Sequence, residues 1–248
     1  MIELIQVSKT FNSATPQQIA ALKPINLNLP AQSFTVVVGS NGSGKSTLLN
    51  AIAGSIDVKG MIKIDGQDVT ALAEYERSRL VARLFQNPLT GTAADLTVIE
   101  NFRLAYLRTQ SKKPTVGINE TFVAQVASKV SMLELGLENK LHQKMGSLSG
   151  GQRQALTLVM AVMAPSAILL MDEPTAALDP NAAKILMQSA QQLIEANKLT
   201  ALMVTHNLKD AYTYGNCIIQ MHDGYMIKQL NQTEKHALKP ADLYNWFM

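Results

Sequence analysis

Gly39-Ser40-Asn41-Gly42-Ser43-Gly44-Lys45-Ser46-Thr47 is the stretch that decides how this chain reads. Before it stands Phe34-Thr35-Val36-Val37-Val38, apolar and rich in β-branched residues, as a buried strand is. After it, residues 48–53 (LLNAIA) read as a helix. Strand, glycine-rich turn and helix form the setting of a phosphate-binding loop. The reason is geometric. Successive backbone N–H groups converge on one anion only where no side chains intervene, hence Gly39, Gly42 and Gly44. The following helix adds unpaired N–H groups and the positive end of its dipole. Lys45 sets a point charge beside the outer phosphates, and the Ser46 hydroxyl can ligate Mg²⁺. The competing reading is a glycine turn that binds nothing.

Composition bounds the rest. An apolar fraction of 47% and a charged fraction of 17% suit a folded chain with a full core. With 22 basic and 19 acidic residues, the net charge of +3 gives no reason to expect a nucleic-acid partner or an anionic membrane surface. The single cysteine, Cys217, allows no internal disulfide and reads as a small apolar residue in a strand. The N-terminal residues include Glu3 and no sustained apolar run, unlike a signal peptide. The most apolar stretch, residues 158–171, is shorter than a bilayer span and is split by Pro165. The expectation is a soluble chain, with any membrane part supplied by other chains.

Along the chain, residues 2–7 alternate as a strand, Lys9-Thr10-Phe11-Asn12 follows, and a polar loop then runs through Gln18. Ile25, Leu27 and Leu29 mark a half-exposed strand ending at Pro30; residues 61–66 form another. These early strands suggest a mixed sheet with a small antiparallel β layer. Residues 81–85 are a short strand ending at Gln86-Asn87-Pro88. The pattern then turns helical at 97–107 and 120–135, with a basic loop at Ser111-Lys112-Lys113-Pro114. A helical subdomain over 87–165 is expected, inserted into an α/β core of 1–86 and 166–248. The core resumes with a strand at 167–171, a helix at 181–197, a strand at 200–204 and a helix at 207–214. Residues 216–221 and 225–230 flank His222-Asp223-Gly224 as a hairpin, and a helix at 241–247 closes the chain.

Two further stretches carry chemistry. Ile168-Leu169-Leu170-Met171 runs into Asp172-Glu173. Two acids at the tip of a buried strand are either solvated, as strand ends often are, or held by a cation. Beside a phosphate loop that cation is Mg²⁺ on Asp172, with Glu173 placed to deprotonate a water. Leu148-Ser149-Gly150-Gly151-Gln152-Arg153-Gln154 precedes a long apolar helix. It is either a capped helix start or a second phosphate site.

Taken in order, GSNGSGKST, LSGGQRQ, ILLMDE, Ala177-Leu178-Asp179 and the histidine of MVTH (His206) resemble the nucleotide-binding subunit of an ATP-binding-cassette (ABC) transporter, importer type. The resemblance covers essentially the whole chain. It implies a P-loop NTPase (RecA-like) core, an ATPase activity, and ATP with Mg²⁺ as cofactors. It makes Gly39 to Thr47 the Walker A loop and Asp172 the Walker B aspartate. Glu173 becomes the catalytic base. Gln86 touches Mg²⁺ and the attacking water, so that Ser46, Gln86 and Asp172 form the metal set. His206 is the switch histidine. Ser149, Gly150, Gly151 and Gln152 are the signature run, and Asp179 belongs to the dimer-contacting loop. Phe11 matches the aromatic that stacks on adenine, where many members have tyrosine. His142, His222 and His236 match nothing.

The family also implies a head-to-tail homodimer with ATP at its interface, on integral membrane permease subunits at the cytoplasmic face of the membrane, with a separate solute-binding protein. One set of motifs, no long arm between Gly44 and Ser149, and a short stretch after His206 fit that arrangement. Residues 86–93 and 155–158 are similar to ATPases of importers with lipoprotein-like binding proteins, some associated with aromatic amino acids. Alternatives are an ATP-gated switch outside transport and a lipid- or lipoprotein-handling system.

Overall fold

The computed structural model of the protein describes residues 1–110, 117–244 and 246. The expected loop at Ser111 to Pro114 lies outside them, as do Asn245 and Phe247 of the expected last helix. The described strands are β1 (Ile2–Phe11), β2 (Ile19–Leu29), β3 (Phe34–Val38), β4 (Lys59–Ile64), β5 (Gln67–Asp68), β6 (Val81–Leu84), β7 (Ile168–Asp172), β8 (Thr200–Val204), β9 (Cys217–His222) and β10 (Tyr225–Leu230). The helices are α1 (Lys45–Ala53), α2 (Glu74–Arg77), α3 (Val98–Leu107), α4 (Glu120–Ser131), α5 (Gly150–Ala161), α6 (Pro180–Ala196), α7 (Leu208–Thr213), α8 (Gln232–Ala237) and α9 (Pro240–Tyr244).

A six-stranded sheet runs β10-β9-β3-β8-β7-β6, parallel except for β10. Its central strands are buried on both faces, which is why their sequences are continuous apolar runs. Side chains alternate between the faces. Val36, Val38, Leu169 and Met171 join the core under α3, α4, α5 and α6. Val37, Ile168 and Leu170 join a second core with α1 and the other sheet. That sheet is antiparallel, in the order β2-β1-β4-β5. Asp223 and Gly224, at φ of 45° and 79°, make the two-residue turn between β9 and β10. Positive φ at both positions matches the right-handed twist of the paired strands.

Between β6 and β7 the described residues carry helices and no strand, only an isolated bridge from Thr97 to Lys144. Thr97 caps α3 reciprocally with Glu100, and Asn119 caps α4. Helix α4 ends at Ser131, short of the expected 135. Leu133 continues the apolar pattern as a buried turn residue, not as helix. Helix α5 is buried continuously from Gln154 to Ala161. Val98, Ile99 and Phe102 are core residues, while Leu89 is exposed. Among the described residues no helix is long and apolar enough to cross a membrane.

Candidate nucleotide site

Strand β3 delivers the chain to Gly39, where a side chain is impossible: a Cβ would lie 2.2 Å from the Met221 carbonyl oxygen. Gly44 turns the chain into α1 at φ 98°, a left-handed conformation that an L side chain resists. Helix α1 therefore starts at Lys45, three residues before the apolar pattern that reveals it, so Lys45, Ser46 and Thr47 form its first turn. Lys45 is 6% exposed, and its Nζ donates to the carbonyls of Gly39 and Ser40, each at 2.8 Å. Burial pushes its pKa down, against the upward pull of Glu173 and Asp172. A desolvated ammonium at a loop mouth is poised for an anion.

Strand β8 lies next to β3 and β7 next to β8, all parallel, so they end at the same edge of the sheet. Ligands of open α/β sheets collect at this carboxyl edge. Asp172 ends β7, and the Ser46 hydroxyl donates to its Oδ1 at 3.2 Å. Burial raises the Asp172 pKa; the Ser46 bond, Arg83 and Lys45 oppose the rise, and Glu173 adds to it. Glu173 sits at φ 43°, with its N–H donating to Val204 O at 3.0 Å. A non-glycine residue held in this region stores strain of about 1–3 kcal/mol and is common at functional sites. His206 follows β8, and its Nδ1 is 3.1 Å from Glu173 Oε2. Gly39, Ser40, Asn41, Glu173 and His206 line one cavity of about 350 Å³. Gln86 is exposed just beyond β6, two strands from β8 in the same sheet.

The donors available for Mg²⁺ are oxygens: the Ser46 hydroxyl, the Asp172 carboxylate and the Gln86 amide. Such a set fits a hard cation that keeps water and substrate phosphates as its other ligands. No cluster of three His, Cys, Asp or Glu that could hold a metal occurs among the described residues.

The signature run lies apart from this cavity. Ser149, Gly150, Gly151, Gln152 and Asp179 line a different cavity of about 330 Å³ with the first turn of α6. Ser149 caps α5: its hydroxyl accepts from Gln152 N–H, while Gln152 Oε1 accepts from Ser149 N–H, both at 3.3 Å. A Cβ on Gly151 would lie 2.9 Å from Ala182 Cβ, whereas one on Gly150 meets nothing within 4 Å. Gly151 is thus needed for the close packing of α5 on α6, and only Gly150 has an open side. Asp179 caps α6 by accepting from the N–H groups of Asn181 and Ala182. Phe11 ends β1, 36% exposed, with Lys9 Nζ 5.2 Å from its ring centroid.

Sequence reasoning missed three residues near the site. Arg83 on β6 donates to Asn50 Oδ1 of α1 at 2.9 Å and to Ser55 Oγ at 3.1 Å. Arg77 holds the far end of α1. Gln154 on α5 reaches the segments that follow β6 and β7 at the carboxyl edge of the sheet. Only Gln154 carried a signal, as a polar residue entering an apolar helix. A groove of about 230 Å³ lies where α3 and α5 meet β6, lined by Val81, Arg83, Phe85, Ala105, Arg108 and Met160 among others.

Residues 22–176 match the family model described as ABC transporter. A tyrosine transport ATP-binding protein of Clostridioides difficile (strain R20291) is 35% identical over 251 residues, spanning 100% of this chain and 98% of that one. The phosphonates import ATP-binding protein PhnC of Lactobacillus gasseri is 32% identical, over 99% and 93% of the two chains. A macrolide export ATP-binding/permease protein MacB of a Shewanella species is 33% identical over 96% of this chain but 36% of its own length. Among solved structures, a dimeric ATP-binding cassette, MJ0796, in a post-hydrolysis state bound to ADP and Pi superposes with a TM-score of 0.80. It shares 30% identity and covers 94% of this chain and 99% of that one.

Proposed function

Because the chain belongs to the ABC transporter family, as an ATP-binding subunit with the family's ATPase activity, we propose that two copies close head to tail on two ATP molecules and drive solute uptake through separate membrane subunits. The observation that carries this reading is a division. Glu173 and His206 line one cavity with Gly39 and Ser40, whose carbonyls Lys45 holds from behind, while the signature run of the same chain lines another. The open N–H groups at Gly150 and Gly151 then serve a second chain's ATP, not their own. Relatives named for transport, and a dimeric neighbour named for ADP and Pi, support the same picture.

Within each site we assign roles as follows. Adenine stacks on Phe11. Residues 39–47 wrap the phosphates with backbone N–H groups, and Lys45 leaves its two carbonyl partners for the outer phosphates. Mg²⁺ would be held by Ser46, Asp172 and Gln86, where it neutralises charge on the phosphate oxygens when bound. Glu173 orients the attacking water and takes its proton. His206 steadies the Glu173 carboxylate through the 3.1 Å contact and faces the γ-phosphate. Hydrolysis removes the ligand that holds the closed dimer, so the population shifts back to the open one.

Residues 87–165 act as the helical subdomain, and the groove between it and β6 receives a cytoplasmic helix of the permease. The subunit then works at the cytoplasmic face of the membrane. A separate solute-binding protein delivers the solute, and full-length similarity to a tyrosine transport subunit supports an aromatic amino acid. Glu173→Gln tests the mechanism. It keeps the shape of the side chain and loses the base, so turnover should fall by roughly 10²-fold or more while ATP binding survives. Gel filtration with Mg-ATP should show a dimer. A monomer with hydrolysis near wild type would refute both the base and the dimer.

A further inference from the structure

We infer that Gln154 is the positioning residue that keeps Gln86 and Glu173 in register with the helix of the signature run; this rests on the assignment of Glu173 as the base. Gln154 is fully buried, two residues beyond Gln152 on α5. Its Nε2 donates to the carbonyl of Phe85 at 2.8 Å and to the carbonyl of Pro174 at 3.3 Å. Phe85 immediately precedes Gln86, and Pro174 immediately follows Glu173. One amide group therefore ties the Phe85–Gln86 peptide unit to the Pro174–Thr175 unit, one residue beyond Glu173.

The acceptor end of the same side chain reveals what the donor end is for. Gln154 Oε1 is buried and has no hydrogen-bond partner among the described residues. A buried carbonyl without a donor is unfavourable. A methionine would fill much the same volume with no orphaned acceptor. What methionine cannot do is hold two carbonyls at a fixed separation. The amide is kept for its two donors.

The bridge also has a direction. Thr157, one turn further along α5, neighbours Gln154 on the helix surface, and together with Met160 it lines the groove beside β6. Gly91, in the segment after Gln86, packs against the same face: a Cβ there would lie 3.3 Å from Thr157 Cγ2. A shift of α5 caused by an occupant of the groove thus reaches Gln86 and Glu173 together, through one side chain.

Gln154→Met and Gln154→Glu test the tie in the full-length protein. Both should lower kcat tenfold or more, with the KM for ATP within about twofold of wild type, because Lys45 and Ser46 are untouched. In a Glu173→Gln background the further loss should be clearly smaller than in the wild type, since part of what Gln154 positions, the carboxylate, is already gone. Equal melting temperatures would separate positioning from general loss of structure. Fully additive losses, or a raised KM with unchanged kcat, would overturn the inference. If neither variant folds, the wild-type protein decides. The Gln154 side-chain amide hydrogens should exchange with solvent at least 100-fold more slowly than those of a free glutamine; exchange at the free rate would overturn the tie. Hydrolysis that survives Glu173→Gln refutes the base assignment instead. An inactive Glu173→Gln beside a fully active Gln154→Met refutes only the inference.

Discussion

Arg77→Met should be among the most destabilising single changes in the chain, and the size can be worked out. Arg77 is 2% exposed. Its Nε donates to Leu72 O at 3.1 Å, Nη1 to Ala51 O at 2.8 Å and Ile52 O at 3.3 Å, and Nη2 to Thr70 O at 2.7 Å. Ala51 and Ile52 are in the last turn of α1, the helix whose first turn holds Lys45 and Ser46. The guanidinium thus gives the Ile52 carbonyl a donor at the helix end and the Ala51 carbonyl a second one beside the Gly54 N–H at 3.2 Å. Methionine keeps most of the stem and removes the fork. A hydrogen bond from a charged donor is worth about 1.5–3 kcal/mol, so four give a gross loss of roughly 6–12 kcal/mol. Removing the buried charge recovers several kcal/mol of desolvation, on the order seen for buried ions; the same burial lowers the Arg77 pKa. The net loss should be about 3–5 kcal/mol, a large part of a domain's total stability. Urea unfolding measures it as a fall in midpoint of about 1 M or more at unchanged slope. Arg77→Lys, with the charge but not the fork, should lose about half as much. A loss below about 1 kcal/mol for Arg77→Met would refute this account of the α1 anchor.

Two further predictions concern other parts of the molecule. Lys235 Nζ donates to the carbonyls of Tyr214 and Gly215, and burial lowers its pKa from 10.5 to about 8. Between those two values the unfolded chain binds more protons than the folded one, so this residue makes stability rise with pH there. Lys235→Met should flatten that rise in melting curves; an unchanged slope would contradict it. Ala105→Glu puts a carboxylate into the groove between α3, α5 and β6. Transport by the reconstituted complex should fall tenfold or more while the isolated subunit's ATPase stays within about twofold; unchanged transport would show that the permease docks elsewhere.

Much of the site is legible in the sequence because its chemistry is local. Gly39, Gly44 and Lys45 act within one turn of chain, so their spacing carries their geometry. Ser149 and Gln152 cap each other across three residues. Asp223-Gly224 fixes its own hairpin. What stays hidden is made by contacts distant in sequence. Arg77 acts on carbonyls 25 and 26 residues away, and Gln154 on a carbonyl 69 residues away. Neither distance leaves a periodic trace. Helix α2 has four residues, too short to show a period. Strand β1 runs on to Phe11 through Lys9 and Thr10 because β2 pairs with it there, although the alternation in the sequence ends at Val7. The two roles of glycine at 150 and 151 also look identical in sequence; only the position of Ala182 separates them.

The central claim, that each ATP is shared by two chains, is tested most directly by mixing two defective proteins. Lys45→Ala removes the cation of the Walker A loop. Gly150→Asp places a negative charge at the signature run, at a position with open space around it. Gly151→Asp would be less clean, because Ala182 blocks it. A homodimer of either variant has two damaged sites. A mixed dimer has one site with both lesions and one with neither. Random pairing makes about half of the dimers mixed, provided neither lesion biases association. The mixture should therefore occlude labelled ATP, while each variant alone should not. If verified mixed dimers hold no more ATP than the average of the two variants, the signature run does not complete its partner's site, and the shared-site account is wrong.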